Sequence, residues 1–252
     1  IELALNYMDK EGVDQAFIIQ NSVIGDCNEY ISEAVARYPK RFFASVQVDP
    51  FSKDAASTLE HYASLSRPNV FKMEISEQYG WSGMHRDLRV FDSPGMSDLW
   101  DIALKYKMAV MFDTGLIGTN GYQTEQFAKL ADAYPSLPII IEHGCMCKND
   151  FDTDSELRPQ WDAMAELGRK ENIYMGLTAI VETAGNMERA MWVLEHLLNI
   201  AGERKIVWGS DIPGNMRFWT YNNMIEWAEK APCLTERQKD LFLAQNMLDM
   251  FK

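Results

Sequence analysis

Five places in this sequence put a group capable of acid–base or metal chemistry at or just past the end of an apolar run. They are Lys72 and Glu74 within Val70–Ile75, Asp113 after Ala109–Phe112, Glu142-His143 after Ile139–Ile141, Thr178 after Ile173–Leu177, and Asp211 just after Ile206–Trp208. A carboxylate or imidazole in such a place is costly unless it is paired, hydrogen-bonded or ligated to a metal. An imidazole titrates near neutral pH and can move protons. A carboxylate can ligate a divalent ion or take a proton from the water that such an ion acidifies. Lys72 can hold a substrate carboxylate or close a salt bridge with Glu74 or Asp113. Taken singly, each residue reads equally well as a cap or a solvated strand end; together they point to a site.

Other reactive side chains weigh less. Cys145 and Cys147 flank Met146 directly after His143, where a thiolate ligand and a small buried hydrophobe are both open readings. No second cysteine pair completes a structural zinc site. His61 and His196 fall inside helical patterns and read as structural. Asp150, Asp152, Asp154 and Glu156 lack the glycine and closing glutamate of a calcium loop.

The elements that must position these groups alternate regularly. Apolar, β-rich runs cover Ala16–Gln20, Phe42–Val48, Val70–Ile75, Ala109–Asp113, Ile139–His143, Ile173–Leu177 and Ile206–Trp208. Between them, helical spacing covers Glu29–Tyr38, Ala55–Ser64, Ser97–Tyr106, Thr124–Tyr134, Pro159–Lys170 and Met187–Ile200. Thr235-Glu236-Arg237-Gln238 is a capping-box signature for a last helix. Continuous apolar strands separated by helices belong to a parallel sheet buried on both faces. The chain opens on a helical pattern, Leu3, Leu5, Tyr7 and Met8, so a first strand is expected to precede Ile1. That strand and the seven visible ones would close an α/β fold of (β/α)8, or TIM-barrel, type, whose catalytic groups gather at the C-terminal strand ends. The absence of a Gly-rich phosphate loop weighs against an open doubly wound sheet. One barrel domain over residues 1–252, incomplete at its N-terminus, is expected.

Composition narrows the partners. A length of 252 residues suits one barrel, and the formal net charge of −13 argues against nucleic acid or an anionic membrane. Four cysteines make no disulfide framework. No apolar run reaches the roughly 18–20 residues that span a bilayer, and no signal peptide is visible. A cytoplasmic protein acting on a small molecule is expected, and homo-oligomers are left open.

Tyr134-Pro135-Ser136-Leu137-Pro138-Ile139-Ile140-Ile141-Glu142-His143-Gly144 resembles the stretch entering the sixth strand of the amidohydrolase-related (amidohydrolase 2) family, which includes aminocarboxymuconate-semialdehyde decarboxylase. Trp208-Gly209-Ser210-Asp211-Ile212-Pro213 resembles that family's eighth-strand Gly-Ser-Asp-x-Pro motif. Asn246–Phe251 resembles its closing Asn-Ala-x-x-x-Phe helix. Tyr38-Pro39-Lys40-Arg41-Phe42, followed by Val48-Asp49-Pro50, is similar to its third-strand region. The motifs occur in order over nearly the whole chain.

The resemblance implies a barrel with one divalent metal, zinc or, with more carboxylate ligands, manganese or magnesium. Asp211 would ligate the metal or take the proton of its bound water, and His143 would activate that water or polarise the substrate. Asp113 stands where the family usually has histidine: either its oxygen ligates the metal or the metal has been lost. Lys72, Trp81, His85, Arg86 and Arg217 are expected around a carboxylated substrate, with Trp81, His85 and Arg86 on the long segment Glu77–Met96. Such long loops are commonly functional. The implied activity is metal-dependent hydrolysis of a lactone, ester or amide. Decarboxylation or hydration is the alternative within the family, and a degenerate barrel that binds without turnover is the alternative outside it.

Overall fold

The apolar runs become strands because β-branched and aromatic side chains pack well on a pleated surface covered on both sides. The computed structural model describes residues 1–66, 69–81, 91, 95–146 and 151–251. Its strands are β1 (Ala16–Ile18), β2 (Phe42–Val46), β3 (Val70–Glu74), β4 (Ala109–Asp113), β5 (Ile139–Ile141), β6 (Ile173–Thr178) and β7 (Ile206–Gly209). Among the described residues these seven form one parallel sheet in sequence order, with β1 and β7 at its edges. The longer helices are α1 (Glu2–Glu11), α2 (Asn28–Arg37), α3 (Ala55–Ser66), α4 (Met96–Lys105), α5 (Thr124–Ala133), α6 (Leu157–Glu166), α7 (Met187–Ala201) and α8 (Tyr221–Glu229). Parallel strands joined through helices in sequence order curl into the wall of a (β/α)8-type barrel.

Alternation along each strand sorts side chains to two faces. Val46, Phe71, Met73, Val110, Phe112, Ile139, Ile141, Met175 and Leu177 face outward, where they pack with Leu59, Trp100, Phe127, Trp161 and Leu194 of the helices. The inward face begins apolar and turns polar. Val70, Ala109, Met111, Ile140 and Val207 form a second buried cluster inside the wall. Continuing up β3 and β4, the same face carries Lys72, Glu74 and Asp113, with Glu74 and Asp113 paired in register.

The C-terminal segment closes the apolar end of this interior. Thr235 opens α9 (Glu236–Asp240) with the expected capping box. The chain then widens through Leu241–Gln245 into α10 (Asn246–Asp249). Asn246 Nδ2 donates to the carbonyls of Glu203 and Ile206, each at 2.7 Å, fixing this segment to the start of β7. Met247, Met250 and Phe251 pack on the interior cluster, and the Phe251 ring lies 5.6 Å from that of Phe17 on β1. The interior is therefore floored by apolar side chains and turns polar towards the C-terminal strand ends. Among the described residues no helix is long and apolar enough to cross a membrane.

Candidate active site

Local backbone geometry places His143. β5 stops at Ile141, and His143, Gly144 and Cys145 all adopt left-handed backbone, with φ of 58°, 58° and 60°. For the two non-glycine residues this costs of order 1–3 kcal/mol each unless surrounding contacts enforce it. Those contacts are present: the Trp161 indole donates to the Gly144 carbonyl at 2.9 Å, and the Tyr122 hydroxyl donates to the Cys145 carbonyl at 3.0 Å. The turn swings the imidazole off the strand axis, leaving Nδ1 3.0 Å from the Thr178 carbonyl and Nε2 3.4 Å from Asp113 Oδ2. Ala179 after β6 and Asp211 after β7 also have positive φ, 53° in each case. Strained residues thus end three adjacent strands on one rim, a distribution typical of sites where backbone strain serves function.

Two further carboxylates complete the rim. Glu142 accepts a short hydrogen bond from the Thr178 hydroxyl, and its carboxylate lies over Gly176, where a Cβ would come within 2.6 Å of Oε1. Glu74 accepts from Ser76 Oγ at 2.6 Å and lies 3.8 Å from Lys72 Nζ. Lys72, Glu74 and Glu142 are each at most 4 % exposed, whereas the side chains of Asp113 and His143 keep 16 % each. The imidazole–carboxylate pair is more accessible than the three buried groups around it.

The charges follow from these contacts. Burial disfavours the His143 imidazolium, but the Asp113 carboxylate, its hydrogen bond and the Glu142 charge outweigh it and raise the pKa to about 9. Burial pushes the Asp113 carboxyl up, yet His143, Lys72 and the Gly115 N–H hold it well below the ordinary carboxylate range. Gly115 N donates to Asp113 Oδ1 at 3.1 Å. Glu74 moves the other way, to about 7, because burial and the nearby Asp113 charge both disfavour its anion. For Lys72, burial is outweighed by Glu74, Asp113, Glu142 and Asp211, so its ammonium is held above its usual value. At neutral pH the rim holds two buried cations among four carboxyl groups.

The residues expected from sequence are placed unevenly. Asp113, His143 and Lys72 converge as described. Asp211 is exposed on the turn after β7, which Asn215 ties down by donating from Nδ2 to the Ser210 carbonyl at 3.1 Å and from its backbone N–H to the Asp211 carbonyl at 3.0 Å. Arg217 lies on the helical turn Gly214–Arg217 beyond it, its guanidinium 4.6 Å from the Phe218 ring centre. Trp81 departs from expectation: only 2 % exposed, it belongs to the outer apolar core, because its large ring gains more from burial there than from a place on the rim. His85 and Arg86 lie outside the described residues. Cys145 is a buried thiol 3.6 Å from Met175 Sδ and behaves as core. Glu74 and Glu142 lie in the same cluster although sequence reasoning assigned them no individual role; their common signal is a carboxylate at the end of a buried strand.

A divalent ion would need several such donors converging on one point. Among the described residues no group of three or more His, Cys, Asp or Glu side chains is arranged to hold one. Asp113 Oδ2 and His143 Nε2 face each other, and Asp113 Oδ1 accepts from Gly115. The described side chains thus do not by themselves gather the donors for the expected centre on Asp113 and Asp211.

Comparison with known proteins gives a consistent picture. The sequence profile of the amidohydrolase family matches residues 1–252. No curated protein sequence matches the chain. Among solved structures, a probable 2-pyrone-4,6-dicarboxylic acid hydrolase from Acinetobacter baumannii, with citric acid bound, superposes with a TM-score of 0.76 at 15 % identity, covering 99 % of this chain and 88 % of that one. The 5-carboxyvanillate decarboxylase from Sphingomonas paucimobilis gives 0.64 at 16 % identity, covering 98 % and 81 %. An amidohydrolase from Burkholderia multivorans with bound zinc gives 0.73 at 11 % identity, covering 99 % and 87 %. At these identities the likeness is one of fold.

Proposed function

This chain belongs to the amidohydrolase family and is an enzyme of that superfamily, and from that premise we propose that it hydrolyses a lactone or ester bond in a small carboxylated molecule. The observation that carries the reading is the Asp113–His143 pair, partly accessible at the mouth of the barrel interior with a buried ammonium, Lys72, behind it. Hydrolysis needs an electrophilic proton donor for the acyl oxygen or the leaving oxygen, and a base for water. His143, protonated at neutral pH, is the donor. Asp113 keeps it charged and oriented.

Asp211, the exposed carboxylate on the rim, takes the proton of the attacking water. The water oxygen bonds to the acyl carbon, the acyl C–O bond breaks, and the leaving oxygen takes its proton from His143. Solvent then returns Asp211's proton to His143. Lys72 offsets a substrate carboxylate.

The test is a substrate panel. Incubation with 2-pyrone-4,6-dicarboxylate and related carboxylated lactones and esters is expected to consume the acyl bond and release one acid equivalent per turnover. Release of CO2 from aromatic carboxylates, with the lactones untouched, would replace this reading with a decarboxylase. Tight binding of such compounds with no turnover of any would replace it with a binding barrel.

A further inference from the structure

The residue that follows β2, Gln47, is a group that the acid–base site leaves unused. Val46 and Val48 pack outward on α3, while Phe43 stacks on Phe17 at 4.5 Å, beside the interior cluster. Alternation therefore puts Ser45 and Gln47 on the interior face with Phe43. Val46 pairs with Phe71, so one step further along the two strands Gln47 lies beside Lys72.

The backbone of Gln47 is clasped rather than left to fray. Asn28, 3 % exposed at the start of α2, accepts from Gln47 N at 3.0 Å through Oδ1 and donates to Gln47 O at 2.7 Å through Nδ2. Gln20, 1 % exposed, orients that amide by donating from Nε2 to Asn28 Oδ1 at 2.6 Å. The same Gln20 accepts from Cys27 N at 3.1 Å. Two buried side-chain amides thus serve to fix one backbone position.

The side chain so fixed is left incomplete. Gln47 is 9 % exposed, and its Nε2 is buried with no hydrogen-bond partner. Folded proteins satisfy nearly all buried polar groups, and an orphan donor costs stability that selection retains only for a reason. Its neighbour is in a similar position: the one ion pair of Lys72 among the described residues, with Glu74 at 3.8 Å, is longer than a hydrogen bond. A neutral donor and an ammonium therefore stand side by side, both short of acceptors, on the wall of a site already holding a proton donor.

We propose that Gln47 is a substrate-binding residue, and that its amide N–H and the Lys72 ammonium together hold one carboxylate of the substrate. The carboxylate supplies the two acceptor oxygens that the pair lacks, and β2 and β3 set their spacing. This rests on the hydrolase reading above and narrows its substrate class to molecules with a carboxylate that reaches the floor side of the rim. An uncharged ester of the same shape would supply a weaker acceptor to the Gln47 amide and to the Lys72 ammonium.

Calorimetric titration with citrate and with 2-pyrone-4,6-dicarboxylate separates the outcomes. It uses wild type, Gln47→Ala and Gln47→Glu, each with its thermal midpoint. Gln47→Ala is expected to melt no lower than wild type, since an orphan donor is removed, yet to bind both ligands roughly tenfold or more weakly, as for loss of one hydrogen bond to a charged group. Gln47→Glu, which keeps the shape but replaces the donor with an anion, is expected to weaken binding further. Wild-type binding that Gln47→Ala leaves unchanged would overturn this assignment alone. A lowered midpoint with unchanged affinity would assign the amide to the fold and overturn it equally. Failure of wild type to bind either ligand would overturn the carboxylated-substrate reading and this assignment with it.

Discussion

Asp113 Oδ2 lies 3.4 Å from His143 Nε2, a contact made across the ends of β4 and β5. It explains why an aspartate at the end of β4 suits this chain: the position faces an imidazole that a left-handed turn has rotated towards it. A histidine there would set one imidazolium against another. The proposed reaction therefore couples catalysis to stability, because the groups it assigns to moving protons are those whose charges the fold stabilises.

That coupling predicts a pH window. His143 is held at about 9, above the ordinary histidine value of 6.5, so its contribution is fully present below pH 6.5 and is lost as pH rises through 9. Asp113 is lowered from 3.8, so its contribution is present above that value and is lost only as pH falls through the lowered one. Urea midpoints of wild type and His143→Gln measured from about pH 5 to 10 should converge at the alkaline end. The His143-dependent part should be about 2–3 kcal/mol at its largest. A difference that does not change with pH would contradict the ion pair.

Asp113→Asn keeps the shape but strands a buried imidazolium. Breaking such a pair costs about 3–5 kcal/mol when one partner is removed, so its thermal midpoint should fall. The His143 pKa, followed by proton NMR of the ring, should drop towards or below the ordinary histidine value. A histidine still titrating near 9 in this variant would mean that another group holds the proton.

Much of this arrangement was legible in the sequence, and the reasons are particular. The strands announced themselves as apolar runs, and Lys72, Asp113, His143 and Asp211 as polar groups ending them. The strand after Pro138 ended earlier than its apolar pattern suggested, at Ile141, because His143 to Cys145 leave extended backbone. That departure depends on the Trp161 and Tyr122 hydrogen bonds, made from residues distant in sequence, which no local pattern reveals. Trp81 misled because an aromatic residue after a strand reads the same whether its ring turns to the rim or to the core. Gln47 gave no signal, since its importance lies in what it does not bond to.

Gly176 is required by the Glu142 carboxylate, not by its own backbone. A Cβ there would meet all three atoms of that carboxylate within 2.8 Å. Gly176→Ala should therefore displace Glu142 from Thr178 and cost about 1–3 kcal/mol, as overpacked sites do. Turnover should fall as well, since the Glu142 charge helps to keep His143 protonated. Unchanged stability and activity would show that Glu142 has room to move aside harmlessly.

Metal addition tests the donor set from another direction. With Asp113 and His143 turned to each other and, among the described residues, no group of three or more ligand-type side chains arranged to hold an ion, zinc titrated into this chain at neutral pH should bind no tighter than scattered surface carboxylates do. The His143 ring signals should not move. Stoichiometric zinc with loss of those signals would show that the pair opens to form a metal centre.

The central claim is that His143, kept protonated by Asp113, supplies the proton for acyl-bond cleavage. The most direct measurement is kcat/KM for hydrolysis of 2-pyrone-4,6-dicarboxylate, or the best lactone of the panel, by wild type and His143→Gln across neutral to alkaline pH. The account predicts that wild-type activity falls as pH rises through about 9 and that His143→Gln is about 10²–10⁴-fold slower at neutral pH, with no alkaline limb of its own. Activity in His143→Gln within a few fold of wild type would contradict it.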